Sequence, residues 1–361
     1  SYMLQLVQCL KFEQHDNSVL LRFMLRRALR DPLRVGASMF WLLRSELHNR
    51  ETLGRYGLLL ELYVRNCGPH REVLGLIHET VAEVRSCDGL AQGMLFFVLR
   101  IFSTNLHLSS SLPLSYPNIQ LERVTKLIVT IPKKDRARRT TMAREELARI
   151  AWPKRFGTCL TSLHMCSGIL IDRCKVMDSK QAPLWIEFAN ADSHGSNIKV
   201  MFKVGDDLRQ DQMTLQFLEL LDRKSLRTGV DLCMRPYKCV GTGREVGMVE
   251  MVPISDTIAR MQWAGGGPYD KKPLYDFLLA NAKLKTSAVQ DAVRAFTQSC
   301  AGYTVATYVM GIGDRHPSNI MMQEDGHLFH IDFGHFLGNF KQKKVGIIKI
   351  DRERSPVVFT P

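Results

Sequence analysis

The sequence predicts an α+β fold, in which an all-α solenoid segment precedes a two-lobed domain with an antiparallel β lobe and a helical lobe. Three observations support this prediction. Residues 1 to about 100 follow helical periodicity, short β-type segments begin near residue 167, and a long helical pattern comes after them. Strands followed by helices, with a polar cluster between them, are typical of a bilobal α+β arrangement.

The helical segment is inferred from five apolar stretches joined by short connections. The first begins at Leu4, the second begins at Leu20 and ends before Pro32, and the other three cover residues 35–47, 56–64 and 71–84. Short connections favour antiparallel helix pairs, and successive pairs stack as a solenoid.

The β-type segments are separated by turn residues and are followed by helical patterns. The sequence Glu324-Asp325-Gly326-His327 predicts a hairpin turn, and Gly241-Thr242-Gly243-Arg244-Glu245 predicts another rather than a glycine-rich nucleotide loop, because no helix follows it. The predicted strands are 168–173, 184–188, 197–203, 232–237 and 246–252, and the predicted helices are 212–221 and 288–310.

Composition indicates an intracellular globular protein with an anionic partner. The formal net charge is +13, which fits an acidic membrane surface, phosphorylated substrates or nucleic acid. Aromatic residues make up only 8% and do not alternate with basic ones, so a single-strand-binding surface is not expected. The nine cysteines are scattered singly, which argues against a disulfide framework and a zinc site. Cys9, Cys233 and Cys300 are expected to be small core residues.

A polar, proline-rich linker is predicted at residues 107–119, and a basic run follows at 133–139. We interpret the basic run as an exposed loop, with anchoring to an anionic surface as the alternative.

The strongest chemical signal is a loop that carries Asp314, His316 and Asn319 and is followed, after a hairpin, by Asp332-Phe333-Gly334. ATP-dependent phosphoryl transfer needs a base that orients the acceptor, an amide and a carboxylate for magnesium, and a cation for the phosphates. The loop and the Asp-Phe-Gly motif deliver the first three groups at one place. Lys203 supplies the cation at the end of a predicted strand, directly before the charged sequence Gly205-Asp206-Asp207-Leu208-Arg209-Gln210-Asp211.

These motifs resemble the phosphoinositide 3-kinase catalytic subunits. The resemblance rests on GDDLRQD (205–211), CAGYTVATYVMGIGDRHPSN (300–319) and HIDFGHFLGN (330–339), and it extends to residues 173–177, 183–185, 5–13 and 40–47. It implies a kinase-like bilobal domain, with its helical lobe truncated at residue 361, behind a helical solenoid. The domains expected are the C-terminal part of a helical domain at 1–105, a linker and the start of the kinase N-lobe at 106–165, the N-lobe at 166–252 and the C-lobe at 253–361.

The resemblance implies a role for each matching residue. His316 would orient or deprotonate the inositol hydroxyl, Asp314 and Arg315 belong to the same catalytic motif, and His335 would meet the transferring phosphate. Asn319 and Asp332 would hold Mg²⁺. The residues implied in ATP binding are Ser179 and Lys180 in the phosphate loop, Lys203 at the phosphates, Glu250 and Val252 at the adenine hinge, Met177, Trp185, Met321 and Ile331 as purine walls, and Asp206, Asp211 and Tyr237 at the inner end of the pocket.

Two departures from the family pattern concern the substrates. Gln181 stands where the family usually has a lysine, and the activation segment from His335 to Pro356 is a few residues longer than in relatives. That segment keeps basic residues expected to read headgroup phosphates, which favours class I over class II, with class III third. They are Lys341, Lys343, Lys344, Lys349, Arg352 and Arg354. A solvated basic loop is the alternative.

The expected reaction is phosphorylation of the 3-hydroxyl of a membrane phosphoinositide, with phosphatidylinositol 4,5-bisphosphate as the expected substrate. The expected partners are ATP, the lipid, an anionic membrane surface, and a regulatory subunit and small GTPase bound by domains outside this chain, but no nucleic acid. A cytoplasmic protein recruited peripherally to membranes fits these expectations. The alternatives are a phosphoinositide 4-kinase, a related protein kinase and an inactive scaffold.

Overall fold

The computed structural model describes residues 2–15, 18–49, 52–66, 117–152, 156–160, 165–179, 181–267, 270, 272–281, 286–337, 342–345 and 348–351. The chain divides into two compact units, of which the first contains residues 1–208 and 239–250 and the second contains 209–238 and 251–361. The predicted α+β class is confirmed, because helices and antiparallel strands occur in both units. The predicted helix at 71–84 and residues 107–116 of the predicted linker lie outside the described residues.

The first unit opens with helices whose termini match their sequence signals. Ser18 caps the second helix by accepting a hydrogen bond from Leu21 N at 3.1 Å. Gly36 lies so close to Tyr63 that a Cβ at this position would be 2.0 Å from the Tyr63 hydroxyl, so the helix pair requires glycine here. The helices are α1 (Met3–Cys9), α2 (Val19–Arg30), α3 (Ala37–Ser45), α4 (Leu53–Asn66), α5 (Pro117–Val129) and α6 (Arg136–Arg149).

A seven-stranded antiparallel sheet completes the first unit. Six strands follow the order β1-β2-β4-β5-β7-β6, and β3 pairs with β4. The register places Lys203 opposite Gly247 and Trp185 opposite Met201. The strands are β1 (Phe156–Gly157), β2 (Met165–Ile169), β3 (Lys175–Val176), β4 (Leu184–Asn190), β5 (Ile198–Val204), β6 (Cys239–Gly243) and β7 (Val246–Glu250).

The helices and the sheet of this unit share one hydrophobic core. Phe40 on α3 and Tyr56 on α4 belong to the same buried cluster as Phe188 on β4 and Met248 on β7. Tyr56 also donates a hydrogen bond to Val7 O at 2.9 Å, so its buried hydroxyl has a partner. The helical segment is therefore part of the support of the sheet.

Two expectations for this unit, and one that concerns cysteines of both units, are wrong. Residues 136–139 begin α6 instead of an exposed loop, because Asp135 caps the helix and the buried Arg139 donates to Ile131 O. Strand β2 ends at Ile169, and the rest of the predicted strand is a 3-10 turn. Among the three cysteines expected in the core, Cys9 is exposed, while Cys233 and Cys300, both in the second unit, are half-buried.

The described residues of the second unit form four α-helices and several short strands. The predicted hairpin at residues 324–327 is confirmed, and it packs so tightly on the long helix that a Cβ at Gly326 would be 2.0 Å from Ala292 O. The strand Ser255–Thr257 completes a three-stranded sheet in the order β10-β9-β8. The elements are α7 (Arg209–Arg227), α8 (Ile258–Ala264), α9 (Lys272–Asn281), α10 (Thr286–Val309), β8 (Ser255–Thr257), β9 (Ile320–Gln323), β10 (Leu328–His330), β11 (Gln342–Val345) and β12 (Ile348–Asp351).

The predicted strand at 232–237 is also wrong, because this segment has no ladder partner. Its apolar residues instead anchor a loop against α10. Met234 is buried, and a Cβ at Gly302 would be 3.1 Å from both Leu232 and Met234. The alternation that suggested a strand therefore reflects the packing of a loop on a helix.

None of the helices within the described residues is both long enough and apolar enough to cross a membrane.

Candidate active site

The candidate catalytic loop follows α10 and is held by its own backbone. Asp314 has a φ of 56°, which is uncommon for a residue other than glycine. Asn319 donates from Nδ2 to Asp314 O at 3.0 Å and from its backbone N to His316 O at 2.8 Å. These bonds close the loop over five residues and fix the side chain of Asn319.

The same loop is tied to the segment that carries the Asp-Phe-Gly motif. Ile331 N donates to Asn319 O at 3.0 Å, and Gly313 N donates to His335 O at 2.9 Å. The loop and the motif are therefore adjacent at both ends of the motif. The sequence-predicted residues Asp314, Arg315, His316, Asn319, Asp332 and His335 all lie in this part of the second unit.

The side chain of His316, predicted to act on the acceptor, is accessible from solvent. Its side chain is 49% exposed, and its Nε2 lies 3.9 Å from Asp314 Oδ2. A carboxylate near one ring nitrogen can orient an imidazole and stabilise its charged form. His335 contributes its carbonyl to the loop and is half-buried.

Asn319 and Asp332 offer the oxygen donors that Mg²⁺ prefers. Because Asn319 Nδ2 donates to Asp314 O, the amide oxygen Oδ1 is left as the ligand atom. Asp332 is exposed, whereas the next residue, Phe333, is fully buried. Within the described residues no three or more His, Cys, Asp or Glu side chains form a metal-binding group. One amide, one carboxylate and nucleotide phosphates are a usual magnesium environment, so these residues fit the ion.

Arg315 directs its guanidinium to backbone carbonyls. Nε donates to Gly313 O at 2.8 Å, Nη1 donates to Ile331 O at 2.7 Å, and Nη2 donates to Asp332 O. The guanidinium carbon lies 5.4 Å from the ring centroid of Phe333. Burial lowers the pKa of Arg315, while the nearby Asp332 opposes this shift.

Four residues predicted at the ATP pocket also lie in the second unit. Asp211, on the first turn of α7, is buried, and its Oδ1 accepts a hydrogen bond from Phe333 N at 3.0 Å. Tyr237 is buried, with its ring centroid 6.3 Å from that of Phe329. Met321 is on the central strand β9, and the half-buried Ile331 follows β10.

The first unit carries the predicted phosphate-binding lysine. Lys203, on β5, has its Nζ 3.0 Å from Asp206 Oδ2, so the carboxylate holds the ammonium group at the end of the strand. The Asp206 side chain is 39% exposed and that of Lys203 is 21% exposed. This ion pair is partly solvated and accessible to a ligand.

The predicted phosphate loop lies between β3 and β4 of this unit. It closes through Met177 N, which donates to Pro183 O at 2.9 Å, and Ser179 Oγ accepts from Gln181 N at 3.3 Å. A Cβ at Gly205 would be 3.4 Å from Gln181 Cγ, so Gln181 adjoins the turn that follows Lys203. Lys180 lies outside the described residues.

Two further predictions concern the adenine pocket. Lys175 Nζ lies 4.7 Å from the Trp185 ring centroid, which places a cation over this predicted purine wall. Glu250 is the last residue of β7 and is exposed, and Val252 is half-buried two residues later. The boundary between the two units falls between Glu250 and Met251, inside the predicted hinge.

The predicted headgroup residues are described only in part. Lys343, Lys344 and Lys349 are on the hairpin β11–β12, whose register places Lys344 directly opposite Lys349. Lys341, Arg352 and Arg354 lie outside the described residues.

The sequence did not predict that α6 is hydrogen-bonded to β3 and to the turn that precedes it. Arg144 donates from Nε to Cys174 O at 2.9 Å and from Nη2 to Asp172 O at 2.6 Å, and Thr140 Oγ1 accepts from Val176 N at 3.3 Å. These bonds join segments about 30 residues apart, and no local pattern indicates them.

His330 is a second residue whose environment the sequence did not reveal. Its ring stacks on Tyr303 with a centroid distance of 5.0 Å. Burial lowers the pKa of His330 to about 3, and the charge of Arg315 acts in the same direction. The histidine two residues before Asp332 is therefore a neutral core residue in the described structure.

Comparison with known proteins identifies relatives along the whole chain. A family profile described as phosphatidylinositol 3- and 4-kinase matches residues 197–361, and one described as the accessory (PIK) domain of the phosphoinositide 3-kinase family matches residues 1–75. Phosphatidylinositol 3-kinase 2 of Dictyostelium discoideum is 40% identical over 370 residues, covering 100% of this chain and 17% of the relative. Phosphatidylinositol 3-kinase 1 of the same organism is 41% identical over 363 residues, covering 99% of this chain and 20% of the relative. The chain therefore spans a fifth or less of the length of these relatives.

Proposed function

The chain belongs to the phosphatidylinositol 3-kinase family of lipid kinases, and we propose that it transfers the γ-phosphate of ATP to the 3-hydroxyl of a membrane phosphoinositide. The observation that carries this proposal is the hydrogen-bonded assembly of the catalytic loop with the Asp-Phe-Gly segment. It unites an exposed carboxylate on Asp332, an oriented amide on Asn319 and an accessible imidazole on His316. This set of groups is the one that phosphoryl transfer requires.

His316 acts on the acceptor. Its imidazole accepts the proton of the inositol hydroxyl as the new phosphate bond forms, and Asp314 orients the ring and stabilises the charged imidazole. Arg315 belongs to the same motif, and His335, on the other side of the Asp-Phe-Gly segment, faces the transferring phosphate. The pairing of His316 with Asp314 supports this assignment.

Asn319 and Asp332 would hold magnesium, which would supply positive charge beside the nucleotide phosphates and the leaving group. Asn319 would bind it through Oδ1, because Nδ2 already donates a hydrogen bond to Asp314 O. Asp332 would bind it through its exposed carboxylate.

Lys203 contacts the nucleotide phosphates, and Asp206 keeps the ammonium group extended at the end of β5. Ser179 and Lys180 belong to the phosphate loop, where Gln181 leaves Lys180 as the charged residue. The remaining nucleotide contacts are Glu250 and Val252 at the adenine hinge, Met177, Trp185, Met321 and Ile331 as purine walls, and Asp206, Asp211 and Tyr237 at the inner end of the pocket.

The lipid substrate that we propose is phosphatidylinositol 4,5-bisphosphate, as in class I enzymes. The basic residues of the activation segment support this choice. Lys344 and Lys349 occupy paired positions of the hairpin β11–β12, and their positive charges attract the phosphates of the headgroup. Lys341, Lys343, Arg352 and Arg354 add to the same attraction for headgroup phosphates.

The proposal also assigns the domains and the setting. Residues 1–105 are the end of a helical domain, 106–165 a linker and the start of the N-lobe, 166–252 the N-lobe and 253–361 part of the C-lobe. The protein acts as a cytoplasmic enzyme recruited peripherally to membranes, with a regulatory subunit and a small GTPase bound by domains outside these residues.

The deciding experiment is a lipid kinase assay of the protein at its natural length, with ATP, Mg²⁺ and phosphoinositides, in which the positional isomers of the products are separated. We expect the 3-phosphorylated product, and more from phosphatidylinositol 4,5-bisphosphate than from phosphatidylinositol. A 4-phosphorylated product would reassign the chain to the 4-kinases. Phosphatidylinositol as the preferred lipid would favour class II or III.

A further inference from the structure

The peptide bond between Asp332 and Phe333 is held at both of its polar atoms. Asp332 adopts a φ of 60°, in the left-handed region that residues other than glycine rarely occupy. The exposed Asp332 side chain precedes the fully buried Phe333. The orientation of this peptide bond therefore determines two things together. It determines whether the Asp332 carboxylate points toward a ligand and whether the Phe333 ring stays in the core.

Arg315 holds the carbonyl side of this peptide. Its Nη2 donates to Asp332 O, and its Nη1 donates to the preceding carbonyl, Ile331 O, at 2.7 Å. The third donor, Nε, reaches back to Gly313 O in the catalytic loop at 2.8 Å. One planar guanidinium thus joins the loop to the peptide, and its central carbon lies 5.4 Å from the ring centroid of Phe333.

Asp211 holds the amide side of the same peptide. Its Oδ1 accepts the hydrogen bond of Phe333 N at 3.0 Å, across 122 residues of sequence. Asp211 is 6% exposed and lies on the first turn of α7. A bond between an ionised carboxylate and a buried amide is stronger than a neutral bond, and an unpartnered amide at this position would be costly.

We propose that Asp211 and Arg315 form a charged clamp on the Asp332–Phe333 peptide, and that this clamp positions the Asp332 carboxylate for metal binding. The inference rests on the proposed function and gives both residues a role that the family resemblance does not assign to them. Both residues act as positioning residues. The guanidinium of Arg315 donates hydrogen bonds to backbone carbonyls, and the carboxylate of Asp211 accepts one from a backbone amide. Rotation of the peptide would break both contacts together.

The test compares Asp211→Ala, which removes the acceptor, with Asp211→Asn, which keeps an oxygen for Phe333 N. Arg315→Lys keeps the positive charge but cannot reach three carbonyls. The matched control is Glu219→Ala, because Glu219 lies on the same helix and its carboxylate forms an ion pair with the partly exposed Arg223. All variants are made in the protein at its natural length, and thermal midpoints identify those that fold.

Three quantities are measured. The first is amide hydrogen exchange at Phe333 in the absence of metal, and the second is the affinity for a fluorescent ATP analogue, with EDTA and with Mg²⁺. The third is the Mg²⁺ concentration that gives half-maximal lipid kinase activity. We expect Asp211→Ala and Arg315→Lys to raise the Mg²⁺ requirement about 10- to 100-fold, as for other residues that orient metal ligands. Amide hydrogen exchange at Phe333 should accelerate, and nucleotide affinity should fall much more in Mg²⁺ than in EDTA. The Mg²⁺ requirement and the exchange rate of Asp211→Asn should lie between those of wild type and Asp211→Ala. Glu219→Ala should match wild type in both.

The inference is wrong if Asp211→Ala leaves exchange at Phe333 or the Mg²⁺ requirement at the wild-type value. It is also wrong if this variant weakens nucleotide binding equally with and without metal, since Asp211 would then act as a pocket wall. If Asp211→Ala does not fold, Asp211→Asn and Arg315→Lys decide by the same criteria. Exchange and nucleotide binding do not depend on lipid turnover, so a wild-type protein without lipid kinase activity would refute the proposed function and leave the clamp testable.

Discussion

Single side chains carry the proposed chemistry, and His316 is the residue that we propose acts on the acceptor. His316→Gln removes the base but keeps a polar side chain of similar size. We expect kcat to fall about 10²- to 10⁴-fold, the range typical of lost general base catalysis. The KM for ATP should stay near the wild-type value, because His316 contacts the acceptor and not the nucleotide. Steady-state kinetics with the lipid at saturation measure both constants, and an unchanged kcat would remove His316 from the mechanism.

Glu187 shows a residue-scale effect on stability that depends on pH. Burial acts to raise the pKa of Glu187, but hydrogen bonds from Asn197 at 2.8 Å and Arg173 at 2.7 Å act against it, and the net result is a pKa below the usual value of 4.5. A lowered pKa in the folded state stabilises the protein above pH 4.5, and this contribution is lost as the pH falls through the lower folded-state pKa.

We therefore expect Glu187→Gln to have a lower thermal midpoint than wild type at pH 7, and the difference to shrink as the pH is lowered below about 4.5. Because Arg173 is largely exposed, the contribution at pH 7 should be about 1 kcal/mol. Differential scanning fluorimetry between pH 7 and pH 3 measures the effect, with Glu219→Gln as an exposed control. A difference that stays constant over this range would mean that the charge of Glu187 contributes nothing.

Local signals in the sequence predicted the catalytic loop, the Asp-Phe-Gly motif and Lys203, and the family resemblance implied the other candidate site residues, but neither predicted their contacts. The catalytic loop, its hairpin and the Asp-Phe-Gly motif are close in the chain, so a motif is enough to place them together. The bond from Phe333 N to Asp211 spans 122 residues, and no local periodicity predicts it. Arg315 looked like a catalytic residue because it lies between Asp314 and His316, whereas the structure directs its donors to three carbonyls.

Among the secondary-structure elements, predictions succeeded where apolar periodicity and turn residues agreed. The hairpin at residues 324–327 and the long helix α10 are examples. Predictions failed where one sequence pattern was compatible with two structures and the wrong one was chosen. The basic run at 133–139 looked solvated, but Asp135 is an N-cap and Arg139 turns inward. At 232–237, apolar side chains that anchor a loop on α10 produced the alternation of a strand.

The hairpin β11–β12 is the element expected to select the lipid. Replacing Lys341, Lys343 and Lys344 by alanine should reduce turnover of phosphatidylinositol 4,5-bisphosphate much more than that of phosphatidylinositol, because each headgroup phosphate adds a charge-assisted contact of roughly 1.5–3 kcal/mol. Both lipids are assayed in the same anionic vesicles at two salt concentrations. The control removes Lys133, Lys134 and Arg136, three exposed charges of the first unit. Equal losses for the two lipids would leave only general attraction to the surface.

At the scale of the whole molecule, the helical segment should support the kinase domain without taking part in the chemistry. Phe40→Ala removes a ring that is 1% exposed in the core that α3 shares with the sheet, and should cost about 3–5 kcal/mol. Phe12→Ala, at a position 85% exposed, is the matched control and should change stability by less than about 0.5 kcal/mol. Thermal midpoints and activity per folded molecule separate the two effects.

If deletion of residues 1 to about 100 left stability and activity unchanged, the supporting role would be wrong.

The central claim, that this chain carries an ATP-dependent lipid kinase centre, is tested most directly by Asp332→Ala. The protein at its natural length is incubated with labelled ATP, Mg²⁺ and phosphatidylinositol 4,5-bisphosphate, and the product is separated by position. Wild type should yield the 3-phosphorylated lipid, and Asp332→Ala should yield none at an unchanged thermal midpoint, because the carboxylate that holds magnesium is gone. Lys203→Ala should lose activity to a comparable degree. Undiminished turnover by Asp332→Ala would contradict the assignment of this site as a kinase centre.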